Sequence, residues 1–354
     1  MNARITKLVS RFPWATSPLL IGAPMRVLSG PHLAVAISAA GGLGFIGPGA
    51  KTDDLKPDLE TAKELVRNAD SLRSASLLPV GVGFQLWNDT LETAAELIKQ
   101  YRPCAVWLYA PKDDAEFETW SAKIRKASDG TSIWIQVGTL GEVKRLLDQS
   151  QHPDVIVVQG AEAGGHGRAE DGLGAFTLVP EVVELLHERG VDIPVVAAGG
   201  IVDGRGAAAS LCLGADGVAM GTRFLASSEA RIGKGYQDEI VRASDGGLNT
   251  TRTLLYNHLR GTFGWPKEYA PRTIINQSHH DQKAGTPFET LKERHDEAVK
   301  AGRGWGPDGR TATYASASIG LIKDVLPAKE IVKQTHKQMR SLLADLRQPL
   351  ASKL

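Results

Sequence analysis

Cysteine is scarce in this chain: Cys104 and Cys212 are the only two in 354 residues, each flanked by apolar residues. Two such thiols exclude a disulfide scaffold and point to a reducing compartment. An excess of charge of either sign is also missing, with 41 Lys+Arg against 40 Asp+Glu. That balance leaves no electrostatic footprint for nucleic acid or an anionic membrane. The N-terminal residues Met1–Lys7 lack the apolar core of a secretory signal. Leu33–Ala50 is uncharged and nearly long enough to span a bilayer, yet it is mostly Ala and Gly and contains Pro48. It reads as a buried helix-to-strand corner, so the chain is expected to be soluble. What the sequence does have is 42% hydrophobic residues, enough for one large α/β domain or two smaller ones.

The most informative stretch is 155–168, Val-Ile-Val-Val-Gln-Gly-Ala-Glu-Ala-Gly-Gly-His-Gly-Arg. Four strand-forming residues run into a loop nearly bare of side chains except Glu162 and the imidazole of His166. Glycine lacks a Cβ, so such a loop lets a flat cofactor or substrate lie against backbone. It also sets His166 at the end of a strand, where barrel active sites are built.

Short apolar runs alternate with amphipathic stretches over the first two-thirds of the chain. Strands are expected at Leu19–Ala23, Gly44–Ile46, Val80–Phe84, Ala105–Tyr109, Ile133–Val137, Val155–Val158, Val195–Ala198 and Gly217–Met220. Helices are expected between them; Leu91, Ala94, Ala95, Ile98 and Tyr101, for example, follow the i, i+3, i+4, i+7 pattern of one buried face. The strands are almost continuously apolar, as strands covered on both faces must be. Eight such units predict an α/β fold, a (β/α)8 TIM barrel; a doubly wound open sheet is the alternative.

Composition changes after Phe224. Residues 1–227 are assigned to the barrel, and 228–309, polar and turn-rich, to an inserted, mainly helical, lid-like subdomain with a helical pattern around Phe288–Val299 and no strand repeat. Residues 310–354 return to complete the barrel with the amphipathic run Ala328–Leu346.

Two further glycine motifs follow the last two expected strands: Val195–Ile201 with Asp203 behind it, and Gly217–Phe224. Each reads as a strand opening a helix through small residues, which aims backbone N–H groups and a helix dipole at one spot. That is a phosphate site, at the strands where such barrels commonly hold one. Near the start, Gly22-Ala23-Pro24-Met25 ends the first strand; Pro24 fixes the bend and Met25 offers a soft surface for an aromatic ring system.

Taken together these residues resemble the nitronate monooxygenase family, formerly called 2-nitropropane dioxygenases. The resemblance is dense in Ala23-Pro24-Met25, Ala39–Phe45, Gln159–His166, Ala198–Ile201 and Gly221-Thr222, and is not aligned between Ser228 and Gly309. It implies an FMN-dependent barrel in which Ala23, Pro24 and Met25 line the isoalloxazine and Gln159 meets its polar edge. Gly165, Ala198, Gly199, Gly200, Gly221 and Thr222 would hold the ribityl phosphate, and Gln85 is a further candidate contact. His166 would be the catalytic base or electrostatic group, with an ordinary pKa that lets it serve in either protonation state. Arg168 would add positive charge near an anionic substrate. The implied reaction is oxidation of alkyl nitronates, propionate 3-nitronate among them, by O2 to a carbonyl compound and nitrite.

Other readings of the residues stay open. A flavin-dependent NAD(P)H reductase of the same barrel superfamily, of the enoyl reductase or quinone reductase type, shares the Gly-Gly-His loop, and a barrel that merely retains FMN is the non-enzymatic reading. Gly42-Leu43-Gly44-Phe45-Ile46-Gly47 matches a dinucleotide motif by letter, but a helix precedes it and Pro48 follows, so it is rejected. His279-His280-Asp281 reads as a solvated loop rather than a metal site, and Cys212 as a packed apolar residue. Of the tryptophans, Trp87, Trp107, Trp134 and Trp265 read as core or lid residues. The sequence ends Ser352-Lys353-Leu354, a tripeptide of the peroxisomal-import type, which predicts an import receptor as a partner and a peroxisomal location.

Overall fold

The computed structural model describes residues 3–306 and 308–345. The Ser352-Lys353-Leu354 tripeptide lies outside the described residues.

Eight parallel strands close into a barrel: β1 (Leu19–Gly22), β2 (Leu43–Ile46), β3 (Leu78–Gln85), β4 (Pro103–Tyr109), β5 (Ser132–Val137), β6 (Val155–Gln159), β8 (Val195–Ala198) and β9 (Gly217–Met220), with β9 pairing back onto β1. One further strand, β7 (Gly165–Arg168), follows β6 but stands outside the barrel. Closure rules out the open sheet. It arises because each strand carries two apolar faces. Leu19 and Ile21 of β1 point to the barrel interior with Phe45, Trp107, Trp134, Val155 and Val157, while Leu20 joins the shell between strands and helices with Val106, Ile133, Ile156 and Val158. Alternation of side chains along a strand makes both sets continuous.

The barrel floor is aromatic. The ring of Phe45 lies 5.3 Å from those of both Trp107 and Trp134, and Phe12, just beyond the helix Ala3–Ser10, closes the stack from below at 6.2 Å from Trp134. Trp134 is fully buried, and truncating it to alanine would cost about 3–5 kcal/mol. A cavity opens above this packed floor, at the carboxyl ends of the strands.

Some helices around the barrel start where side chains satisfy their first amides. Thr139 accepts from the Glu142 amide at 3.1 Å, and the Glu142 carboxylate accepts in return from the Thr139 amide at 2.9 Å, opening the helix Leu140–Leu147. Asp203 caps the helix Gly204–Cys212 by accepting from the Arg205 amide at 2.9 Å and from that of Gly206. The helix Ala328–Asp345 packs back against Gly204–Cys212 and the helix Pro31–Ala39, completing the outer ring. Cys212 is exposed rather than packed. Among the described residues, no helix is long and apolar enough to cross a membrane.

Residues 228–309 carry helices at Lys234–Arg242, Gly246–Asn249, Leu255–Leu259, Gln277–Lys283 and Phe288–Lys300, together with two strands absent from the expected pattern, β10 (Thr250–Arg252) and β11 (Tyr269–Ile274). The β11 run, Tyr-Ala-Pro-Arg-Thr-Ile, contains a proline and an arginine that hide its strand character. Both strands belong to a small antiparallel sheet in the order β10-β11-β7. The His166 segment, expected as a loop, is thus itself a short strand, with Pro271 opposite His166 and Arg272 opposite Gly165. His279-His280-Asp281 is helical, not loop; His279 is buried and Asp281 pairs with Arg294 and Arg310, each at 2.9 Å. Among the described residues no cluster of His, Cys, Asp and Glu is suited to hold a metal.

Candidate active site

The carboxyl ends of the strands open into a cavity of about 450 Å³. Ala23, Pro24, Met25, Gln159, Gly165, His166, Ala198, Gly199, Gly200, Gly221 and Thr222 all line it, as does Gln85. The sequence motifs that are far apart in the chain are therefore walls of one space.

The turn after β8 bends because Gly199 and Gly200 both take positive φ, +97° and +72°. A side chain there would be strained, and a Cβ on Gly199 would stand 2.8 Å from the Gly160 carbonyl oxygen. The dipole part of the phosphate expectation changes. Residues Ile201–Asp203 separate this turn from the next helix, whose first amides are already taken by Asp203 and by Gln338, which accepts from Gly204 at 2.8 Å. An anion at this turn would therefore meet turn backbone rather than that helix end. The Thr222 hydroxyl, at the end of β9, accepts from the Ser316 amide at 3.0 Å, which brings the returning chain to the cavity wall.

Sequence reasoning missed several lining residues. Trp107 lies within β4, and its indole N–H donates to Gln136 Oε1 at 2.9 Å on the cavity floor. Gln136 carried a legible signal, a polar residue inside the apolar run of β5. Its Nε2 is buried without a partner, and so are the Tyr109 hydroxyl and Ser316 Oγ, all on residues that line the cavity. An unsatisfied buried polar atom costs about 1–3 kcal/mol, so the three together mark a space shaped for a polar ligand.

His166 is enclosed by groups from 228–309 and the returning chain. Trp265 stacks on its ring at 3.5 Å between centroids and 5° between planes, and Trp87 packs on the indole at 4.9 Å. Asn257 Nδ2 stands 2.8 Å from His166 Nε2. The amide orientation follows from its other end: Oδ1 accepts from Arg260 Nη2 and from the Tyr314 hydroxyl, both at 3.3 Å. Nδ2 is therefore the donor toward His166, and Nε2 is the unprotonated nitrogen. Burial, first, and then the positive charges of Arg260 and Arg252 push the His166 pKa well below its ordinary value. The imidazole is neutral near pH 7, so the expectation of two usable protonation states gives way to one.

The turn bearing His166 is tied down by a buried cation. Arg252 of β10 donates through Nη1 to the carbonyls of Gly165 (3.1 Å) and Ala270 (2.6 Å), and through Nη2 to those of Ala161 (3.1 Å) and Ala163 (3.0 Å). Burial lowers its pKa to about 10, and it stays charged. Arg168, expected to face the substrate, does not line the cavity. It turns away to Glu142 (3.1 Å) and to Asp171, which neutralise it, while the Tyr269 hydroxyl donates to the same Glu142.

Residues 113–337 match the family described as nitronate monooxygenase. A nitronate monooxygenase of Metarhizium robertsii is 58% identical over 343 residues, covering 96% of each chain. One of Neurospora crassa is 33% identical over 371 residues, covering 98% of this chain and 95% of its own. Among solved structures, FabK from Thermotoga maritima superposes with a TM-score of 0.71 at 27% identity over 96% of this chain and 98% of its own. Nitroalkane oxidase from Streptomyces ansochromogenes shares the fold, with a TM-score of 0.72 at 24% identity over 96% and 99%. Barrel, cavity and sequence similarity over nearly the whole length agree: the chain belongs to the nitronate monooxygenase family of oxidoreductases.

Proposed function

We propose that the protein binds FMN in this cavity and oxidises alkyl nitronates with O2 to a carbonyl compound and nitrite. The family is flavin-dependent. The observation that carries the reading is the joining of three strand-end glycine turns and one neutral histidine in a single space above the barrel floor.

The residues present fit the cofactor. A Cβ on Gly165 would meet nothing within 4 Å, and one on Gly221 would meet only Met25 Sδ and Ala23 Cβ, at 3.5 and 3.9 Å, so both positions leave room beside the backbone. Gly199, Gly200, Gly221 and Thr222, with Ala198 and Gly165, would hold the ribityl phosphate. Ala23, Pro24 and Met25 would line the ring, and Gln159, Gln136 and Gln85 supply amides for its polar edge. When bound, FMN supplies the electron acceptor that these side chains lack.

The chain's own groups do the rest. A nitronate is already a delocalised anion and needs orientation more than deprotonation. A neutral nitroalkane needs a base, and unprotonated His166 is in the state a base requires. Its Nε2 lone pair is held by Asn257 until a substrate C–H takes that place. Trp265 and Trp87 cover the ring and exclude water from it.

The test is the absorbance spectrum of the purified protein, followed by oxygen uptake with ethyl nitronate and propionate 3-nitronate. A yellow protein that consumes oxygen and releases nitrite supports the proposal. Flavin bleached by NADH, with no response to either nitronate, would replace it with the reductase reading that the FabK likeness also accommodates.

A further inference from the structure

Among the described residues, two charged side chains line the cavity, Arg26 and Arg260, and no carboxylate does. The two are not equivalent. Arg26 is committed to Asp89, fully buried at 2.8 Å, and to the Ala50 carbonyl at 2.8 Å. Arg260, at the end of the helix Leu255–Leu259, is exposed and meets only neutral acceptors: the Tyr256 carbonyl, Asn257 Oδ1 and the Tyr314 hydroxyl. Among the described residues no carboxylate lies within ion-pairing distance of it.

Its position is fixed all the same. The guanidinium lies over the Tyr314 ring, 5.3 Å from the centroid. Tyr314 is itself held by Tyr236, whose hydroxyl accepts from the Tyr314 amide at 2.7 Å. The Asn257 amide bridges Arg260 on one side and His166 on the other, so the cation stands one amide group away from the imidazole. Arg168 is neutralised elsewhere. An anion entering this cavity therefore finds an uncompensated positive charge at one place, on a planar fork that matches two oxygens on a planar nitrogen.

We propose that Arg260 is the specificity residue for the substrate's negative charge, binding a nitronate anion in preference to the neutral nitroalkane of the same skeleton. This rests on the nitronate reading above. Arg260 takes no part in proton transfer. It contributes binding that a nitroalkane, lacking the charge, does not receive.

The experiment compares the FMN-loaded wild type with Arg260→Gln and Arg260→Lys on two pairs of molecules of similar skeleton that differ in charge. Turnover is measured with ethyl nitronate and nitroethane. Binding without turnover is measured with propionate, a carboxylate of similar shape, and with propionamide, by the fluorescence of the cavity tryptophans. Arg260→Gln is expected to raise the KM for ethyl nitronate and the Kd for propionate about tenfold or more, with kcat within about threefold. Propionamide binding should be unaffected, and Arg260→Lys should recover most of the loss. Nitroethane turnover, which loses only the influence of Arg260 on His166, should change far less than ethyl nitronate turnover. Unchanged propionate binding in Arg260→Gln overturns the inference; so does equal weakening of charged and neutral partners, which marks a structural role. If propionate binds through Arg260 but no nitronate is oxidised, the proposed function falls and the anion site stands. If ethyl nitronate turns over in Arg260→Gln with unchanged KM, the anion site falls and the function stands.

Discussion

Asn257 donates to His166 Nε2 at 2.8 Å, and the same amide faces Arg260 through its oxygen. Protonating Nε2 would set two donors against each other beside a guanidinium. The neutral ring is thus enforced by hydrogen bonding as well as by burial.

Asn257→Asp reverses that preference. A carboxylate at 257, kept ionised by Arg260, would accept from a protonated Nε2 and raise the His166 pKa. The base form would then appear only at higher pH. The acid limb of kcat/KM for a neutral nitroalkane should move up by about one to two pH units, measured as a pH–rate profile. An unmoved limb would mean that a group other than His166 titrates there.

His166→Asn separates proton transfer from positioning. Oxidation of nitroethane should fall by about 100-fold or more and that of pre-formed ethyl nitronate far less. Equal losses in steady-state assays would show that the ring only orients the substrate.

Arg252→Met should damage both stability and activity. It removes four hydrogen bonds to the carbonyls of Ala161, Ala163, Gly165 and Ala270, of which Ala161 alone keeps another side-chain donor, Arg272 at 3.2 Å. A loss of about 2–4 kcal/mol in urea denaturation is expected. Retained stability would remove Arg252 as the clamp of the His166 turn.

Gly200→Ala tests the cofactor cradle. Its φ of +72° disfavours any side chain, and the added Cβ would sit 3.0 Å from Glu162 Cβ. The flavin-to-protein ratio after gel filtration should fall well below that of the wild type, at a stability cost of about 1–2 kcal/mol. Full flavin occupancy would place the phosphate elsewhere.

His336 sets an acid limit on stability. Both ring nitrogens are buried without partners, and burial, aided by Arg340, lowers its pKa to about 4. The unfolded chain takes up this proton near pH 6.5, whereas the folded one resists it until about 4. Stability from this residue is therefore complete above pH 6.5 and declines as pH falls toward 4, by at most about 3 kcal/mol. His336→Leu should flatten the difference in urea midpoint between pH 7.5 and pH 5; an unchanged difference assigns the acid sensitivity to other groups.

The barrel was legible because each strand repeats one local pattern, an apolar run between amphipathic stretches, and local patterns survive in sequence. The cavity glycines were legible because turns after adjoining strands must converge. The surroundings of His166 were not. Asn257, Arg260 and Trp265 lie about 90 residues downstream in a segment without periodicity, and nothing near His166 in the chain announces them. Asp171 lies within local reach of Arg168, but its buried partner Glu142 stands 26 residues earlier, on the helix before β6, and only folding brings those two together. Glycine at both 165 and 167 disguised β7, which becomes a strand only because β11 supplies its hydrogen bonds.

Pairing of β7 with β11 has a consequence for how this architecture diversifies. The His166 backbone is paired with β11, within residues 228–309, while the chain just before it is the barrel strand β6. A segment exchanged for that of a relative would bring a new amide, a new guanidinium and a new indole to the imidazole in one step. On the proposal that Arg260 reads substrate charge, chimaeras that exchange residues 228–309 should shift substrate preference and the acidity of the ring together.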